Sequence, residues 1–505
     1  MKNNFKKIVL GLMAMLLMSI TSCSEENVLD LSPYNQADEN SAFSSKSLIE
    51  LSVNGVYNAA QVGWYRGAPR GYPFGAAYFQ QGDTRGEDVV NTAAFYQFTY
   101  TTTYNTTGSL NNIVYWEDSY KLINKCNLVI EGITDAIAKG VVTQAEGDVY
   151  LGQILFFRAF AHFELMKHFS RPYDHTADGS HMGVPYLTLG SKSSETALAN
   201  ADTDRGSVKD GYAKVLQDLN DAETKLASQP KSILRVSKYA AIALKSRVYM
   251  NMKRWADVIT ETNKLNGQYS LTSNPDAPFS SPRNNTESIF SLDQSATNNP
   301  NVNAALASMY NGRLLIAISP IIWNHAAWPE TDARRSMIKT VSGAKFTNKY
   351  KDTSTFTDPS PLLRYAEVLL NRAEAKARLG DATYLDDLNA VRGRSTAAVY
   401  TAFATPKEAV NAIVMERRIE YLAEGMRWQD IHRLQNDNLV DYDGIPAKYA
   451  NKNPAAADYV IGAGYTIKTS DLQAIPYSDF RFLWPIPASE TSVNPKMAEQ
   501  QNPGW

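Results

Sequence analysis

A block of the chain from Leu151 to Phe169, LGQILFFRAFAHFELMKHF, is apolar on nearly every side of a helical wheel. That pattern predicts a buried helix, not an amphipathic one, and Arg171-Pro172 ends it. Between Ser237 and Leu265, Ala241, Leu244 and Val248, and then Ala256 and Ile259, space as two helices joined at Asn251–Arg254. From Pro361 to Arg394 the pattern repeats. Leu362, Ala366, Leu369, Leu370, Ala373 and Ala377 share one face, with Glu367, Asn371, Glu374 and Arg378 on another, and Gly380-Asp381 breaks the run before a second helix. A further helix has a clear start: Thr405 as N-cap, Pro406 at the first position and Glu408 three after the cap. It continues through Val410, Ile413 and Val414 to Ala423, and Gly425 can terminate it.

The regions 237–265 and 361–394 share one form: a helix rich in small residues, a short turn, an aromatic, then a second helix. This is the grammar of a tetratricopeptide-like helical hairpin, in which small residues permit close helix contact. The hairpins are scattered and not tandem, so the expected fold is mostly α, a right-handed scaffold of helical hairpins with long irregular insertions and few short strands. The scaffold helices are expected over about 41–62, 109–170, 207–265 and 361–435, within one domain spanning 41–505. Polar stretches rich in Gly, Pro and Asn fall at about 63–108, 266–340 and 436–480, with another at 172–205. They are too long for simple turns and are the places where a ligand site would be built on the helical frame. Prolines bracket the last segment, 483–505, which is expected to lie extended over the body.

The N-terminus changes the picture. Lys2, Lys6 and Lys7 precede an apolar run from Ile8 to Met18, which suits a secretory signal and is too short to span a bilayer. Ile20-Thr21-Ser22 then places small residues directly before Cys23, as lipoprotein processing requires. Residues 1–22 are therefore expected to be a lipoprotein signal, Cys23 the lipidated residue and 23–40 a polar tether. No later run is long enough to cross a membrane. The formal charge is −2, and loss of the three signal lysines takes it to −5, which leaves no basic surface for nucleic acid. If Cys23 carries lipid, only Cys126 remains; no intrachain disulfide can form, and the helical pattern around Cys126 makes it a small buried apolar residue.

Catalytic chemistry has no strong motif here. The six histidines show no HExxH or comparable spacing, and His162 sits in the buried helix as a core residue. Gly462 and Gly464 do not make a phosphate loop. The acidic turns at Asp202–Asp204 and Asp441–Gly444 do not continue as calcium loops, so no cofactor is expected beyond the lipid on Cys23, and no metal.

Several longer motifs carry a resemblance. They are RYAEVLLNRAEAKARLG at Arg364–Gly380, MERRIEYLAEGMRWQDIHRL at Met415–Leu434, and Leu483-Trp-Pro-Ile-Pro487 followed by Gln501-Asn-Pro-Gly-Trp505. Asp83-Thr-Arg-Gly-Glu87 and Arg158-Ala-Phe-Ala161 fit the same pattern. Together they resemble the SusD/RagB family of nutrient-uptake lipoproteins. That resemblance implies a binding protein and not an enzyme. Such a protein is lipid-anchored on the outer membrane, faces the cell exterior, and hands oligosaccharides to a SusC-like TonB-dependent transporter. The acidic pair Glu25-Glu26 resembles the surface-export signals of such lipoproteins. In the motif around Glu416, Arg417, Arg418, Glu420, Arg427 and Asp430, the neighbouring Trp428 and Ile431 suggest charges paired inside the scaffold, an architectural role.

Sugar rings present apolar faces that flat aromatics can cover, and amide or guanidinium groups bond their hydroxyls. Two segments have that composition. One offers Trp64, Tyr65 and Tyr72, the other Trp323, Asn324 and Trp328. Each of these tryptophans has two open roles, ligand contact or packing of an insertion onto the helices. The same scaffold could take peptides or glycopeptides, a surface glycoside hydrolase would need two convergent carboxylates, and a plain helical adaptor would lack an aromatic-lined pocket.

Overall fold

The computed structural model describes residues 41–63, 69–94 and 96–505. Cys23 and the tether lie outside them. Helix α1, Lys46–Val62, is capped by Ser45 and lies against a long antiparallel pair, α4 (Leu110–Ala138) and α5 (Gln144–Phe169). Between α1 and α4 come two shorter helices, α2 (Ala76–Thr84) and α3 (Gln97–Thr101). Every residue of α5 from Leu151 onward is buried, as its unbroken apolar pattern predicts. The helix begins seven residues before that pattern does, because Thr143 caps it and Glu146 returns the bond to the cap's backbone. Cys126 and His162 are both fully buried in this pair.

After a short exposed helix α6 (Ser194–Ala201), the frame continues as a stack. Helix α7 (Val208–Lys225) packs on α5 and then on α8 (Lys238–Asn251), which folds back through α9 (Trp255–Asn263). Lys253, at φ 55°, makes that turn. Helix α10 (Tyr365–Arg378) packs on α9 and forms the next hairpin with α11 (Tyr384–Gly393); Gly380 sits at φ 78° between them. Helix α12 (Pro406–Glu420) has the Thr405–Glu408 capping box, and α13 (Arg427–Arg433) follows a turn at 421–426.

Among the described residues, six short strands stitch the insertions to this frame. β1 (Val89–Asn91) pairs antiparallel with β3 (Ile316–Ile318), β2 (Ser288–Leu292) with β6 (Ser360–Arg364), and β4 (Ile338–Val341) with β5 (Ala344–Thr347). The sequence pattern runs the helix from Pro361, yet Ser360–Arg364 is a fully buried strand and α10 starts at Tyr365. A short apolar run does not declare its type, and here pairing with Ser288–Leu292 decides it.

The C-terminal segment corrects a second expectation. It is not extended throughout, since Ala488–Thr491 (α14) and Pro495–Glu499 (α15) are short helices, with Pro487 just before one and Pro495 at the first position of the other. The segment also closes the end of α5. A buried helix end leaves carbonyls that need donors. Lys167 C=O receives Trp428 Nε1 at 2.9 Å, and His168 C=O receives the Trp484 amide at 3.0 Å. Phe169 C=O receives Arg205 at 2.8 Å and Asn502 at 2.9 Å, and Ser170 C=O receives His432 Nε2 at 3.0 Å. Burial holds His432 down to about 3, so it is a neutral donor there.

The ERR motif is buried among opposite charges. Glu420 accepts from Arg334 at 3.1 Å and Arg364 at 3.1 Å, and from Arg394. Glu416 holds Arg334 at 2.6 Å and Arg392 at 2.9 Å, while Glu424 holds Arg364 and Lys349. With Glu287 and Asp332 added, five cations face five carboxylates and the cluster is neutral. A second cluster joins two motifs far apart in sequence: Arg427 grips Glu87 at 2.6 Å and Arg418 grips Glu87 and Asp88. At this junction Gly425, at φ 75°, lets its turn press on α2. A Cβ on Gly82 would lie 2.0 Å from the Gly425 oxygen, and Gly425 N–H donates to Asp83.

Asn502→Ala removes a donor from Phe169 C=O and from Trp484 C=O; it is expected to cost about 1–3 kcal/mol, read as a lower urea midpoint at unchanged slope. Burial alone would raise Glu87 and Glu374, but Arg418 and Arg427 beside the first, and Arg433 and Arg378 beside the second, bring both down to about 2. A carboxyl depressed in the folded state stabilises it above the unfolded value of 4.5 and loses that contribution as the pH falls towards 2. Acid titration followed by circular dichroism should therefore show unfolding in that window. A chain equally stable at pH 2 and pH 7 would contradict it.

Candidate functional site

The strand pair β1–β3 brings the 63–108 insertion beside the 266–340 insertion. Thr92 N–H to Leu315 C=O and Ser319 N–H to Asp88 C=O extend the pairing at either end. Beyond β1 the chain turns at Asn91, whose side chain bonds the backbone of Ala93, and enters α3 through Tyr96. Tyr96 holds φ 60°, ψ 10°, a left-handed conformation uncommon for a bulky residue and often found where a site is being shaped.

Between α3, the start of α4 and the middle of the 266–340 insertion lies a cavity of about 310 Å3. Tyr72, Tyr96 and Phe98 supply rings, Ala94, Leu110 and Val114 add apolar surface, and Arg70, Asn111 and Asn303 supply polar groups. Tyr72 is 5% exposed; its ring stands edge-on to Tyr115 at 6.0 Å and its hydroxyl accepts from Gln81 Nε2 at 3.1 Å. Burial raises both Tyr72 and Tyr96 far above the usual phenol range, so both stay neutral hydroxyls. Phe98 is partly exposed at 36%. Asn111 Oδ1 is buried without a hydrogen-bond partner among the described residues, and Asn303 Oδ1 accepts from Arg313 at 3.1 Å, leaving its amide N–H groups for other use. No carboxylate lines the cavity among the described residues.

Of the sequence candidates, Tyr72 lines this cavity. Trp64 and Tyr65 lie outside the described residues. Trp323, Asn324 and Trp328 sit elsewhere and are buried, Trp328 at 1% exposure. Trp323 and Trp328 stand edge to face at 5.4 Å, with Arg335 4.4 Å and 4.3 Å from their ring centres. Asn324 donates to Asp458 C=O at 2.8 Å and Gly464 C=O at 3.1 Å and accepts from Val460 N–H at 2.8 Å. The two tryptophans therefore pack an insertion, one of the two roles open to them in the sequence, while Asn324, expected as a ligand contact, spends its side chain on the loop 458–464. Arg70, Tyr96, Phe98, Asn111 and Asn303 were not singled out from sequence. The aromatic, polar-spaced run Tyr96-Gln-Phe-Thr-Tyr100 was the available signal for two of them.

Comparison with known proteins bears on the whole arrangement. Residues 324–505 match the model of the SusD family, and residues 27–250 match one described as starch-binding, associating with outer membrane. A crystal structure of a SusD superfamily protein from Bacteroides fragilis superposes with a TM-score of 0.76 at 27% identity, covering 90% of this chain and 99% of that one. The chain belongs to the SusD family. A SusD-like protein of Formosa agariphila is 24% identical over 500 residues, 85% of this chain and 92% of that protein. A SusD-like carbohydrate binding protein from Bacteroides vulgatus shares the fold at TM-score 0.73 and 21% identity, covering 90% of this chain and 98% of that one. In this SusD-family chain, the motifs that carry the resemblance form the closed end of α5 and the buried ion clusters, and the cavity lies outside them.

Asn324→Ala removes three hydrogen bonds to the loop 458–464 and is expected to raise hydrogen exchange at the Val460 amide. Unchanged exchange there would mean that the loop is held by other contacts.

Proposed function

We propose that this chain captures oligosaccharides at the outer-membrane surface, through the cavity beside α3 and α4, and passes them to a SusC-like TonB-dependent transporter. The observation that carries the reading is the cavity's lining in a SusD-family chain: phenyl and phenol rings set beside two carboxamides and a guanidinium. A pyranose ring can lay its apolar face on Phe98 while its hydroxyls meet Asn111 Oδ1 and the Asn303 amide. The relative from Bacteroides vulgatus, described as carbohydrate binding, supports the same reading. So does the absence of a carboxylate in the described lining, since glycoside hydrolysis uses a pair of them. Binding without cleavage is the role that this chemistry suits. Trp64 and Tyr65, close in sequence to Arg70 and Tyr72, are proposed as further ligand contacts, and Cys23 as the lipid anchor that keeps the cavity at the membrane.

Glycan-array and affinity-gel screening of the purified full-length chain is expected to show retention by one polysaccharide class with no released sugar. Phe98→Ala, which changes a partly exposed ring, should weaken that binding by several-fold to about tenfold without lowering the melting temperature. Binding of peptides and not glycans would move the reading to the peptide alternative, and released product would replace it with catalysis.

A further inference from the structure

Among the described residues, the cavity beside α3 carries one lining charge, and that charge is positive. Most other buried arginines of the described chain are committed. Arg158 is bidentate on Asp218, Arg247 on Glu367 and Arg427 on Glu87, while Arg205 is spent on backbone carbonyls and Asn502. Arg70 is different. It is half-buried at the cavity wall, and among the described residues its guanidinium has neither a hydrogen bond nor an ion pair. The charge acts on the cavity, since it lowers the cost of ionising the Tyr72 and Tyr96 hydroxyls beside it. The nearest acid on the adjoining helix, Asp118, acts on Tyr72 in the opposite sense and bonds Lys121 at 2.9 Å. A second guanidinium, Arg313, holds Asn303 at the other wall.

A neutral sugar would further desolvate the Arg70 guanidinium and supply no counter-charge. A carboxylate or a sulfate ester would accept two parallel N–H bonds from its fork. We propose that the cavity selects acidic sugars, uronates or sulfated residues, with Arg70 as the specificity-determining contact. The overall negative charge of the chain argues that such selection is local, because a polyanion gains nothing from the protein at large. The inference rests on the glycan-capture reading and narrows it.

The test is affinity electrophoresis of the full-length chain in four gels: polygalacturonate, its carboxyl-reduced neutral form, a sulfated galactan and its desulfated form. Retention is expected in at least one acidic gel and to be much weaker in its neutral counterpart; which acidic gel retains the chain tells uronate from sulfate. Arg70→Gln should weaken the acidic interaction by about tenfold or more. Arg70→Lys, which keeps the charge and loses the fork, should fall between the two and guards against a folding defect in the first variant. Raising the salt should weaken binding of the wild type more than that of Arg70→Gln. Equal or stronger retention by a neutral form, or an unchanged Arg70→Gln, would overturn the acidic preference and leave glycan capture standing. No retention by these or by any polysaccharide on the array would overturn both.

Discussion

A carboxylate that three arginines share, Glu420 with Arg334, Arg364 and Arg394, is the constraint on which the rest of the structure depends. Its three partners come from the 266–340 insertion, strand β6 and the residues after α11, and Glu420 itself ends α12. Burial of so many charges is tolerable only if they cancel and their hydrogen bonds are filled. Here five cations meet five carboxylates, so removal of any one strands a charge without water. Such a cluster adds little to stability compared with an apolar core, but it allows very few arrangements of the strands and insertions it joins. The Glu87–Asp88 cluster with Arg418 and Arg427 extends the same logic to the segment that enters β1.

That is how an architectural motif comes to define a site it does not line. The cavity wall is made by Tyr96 and Phe98, held by β1, and β1 is held by the ion cluster at Glu87–Asp88 and by the close backbone contact of Gly82 with Gly425. The opposite wall, at Asn303, leads into β3 and onward to Arg334 in the first cluster. Two insertions that are irregular by themselves thus face each other across a fixed gap. A rigid frame with irregular loops on it suits the proposed capture role, because loops can carry the ligand contacts while the frame stays put.

Much of this was readable in the residues. The all-round apolar run 151–169, the small-residue hairpins and the Thr405 capping box gave the helices because helical periodicity and caps are local signals. The charged motif could be read as paired and buried because Trp428 and Ile431 interrupt it. What resisted reading depended on partners distant in the chain. Ser360–Arg364 is a strand only because Ser288–Leu292 pairs with it. For the tryptophans at 323 and 328 the sequence leaves ligand contact and packing equally open, and it takes the fold to bury them against Arg335. Arg70 and Asn303 are ordinary surface residues in sequence; the fold, not their spacing, puts them in one cavity.

The most direct test of the account is a structure of this chain with an oligosaccharide cut from the polysaccharide it retains best. The account predicts an intact glycan lying on Phe98, within hydrogen-bonding reach of Arg70, Asn111 and Asn303, with its glycosidic bonds unbroken. A ligand seated on another face while this cavity stays empty, or one found cleaved, would contradict it.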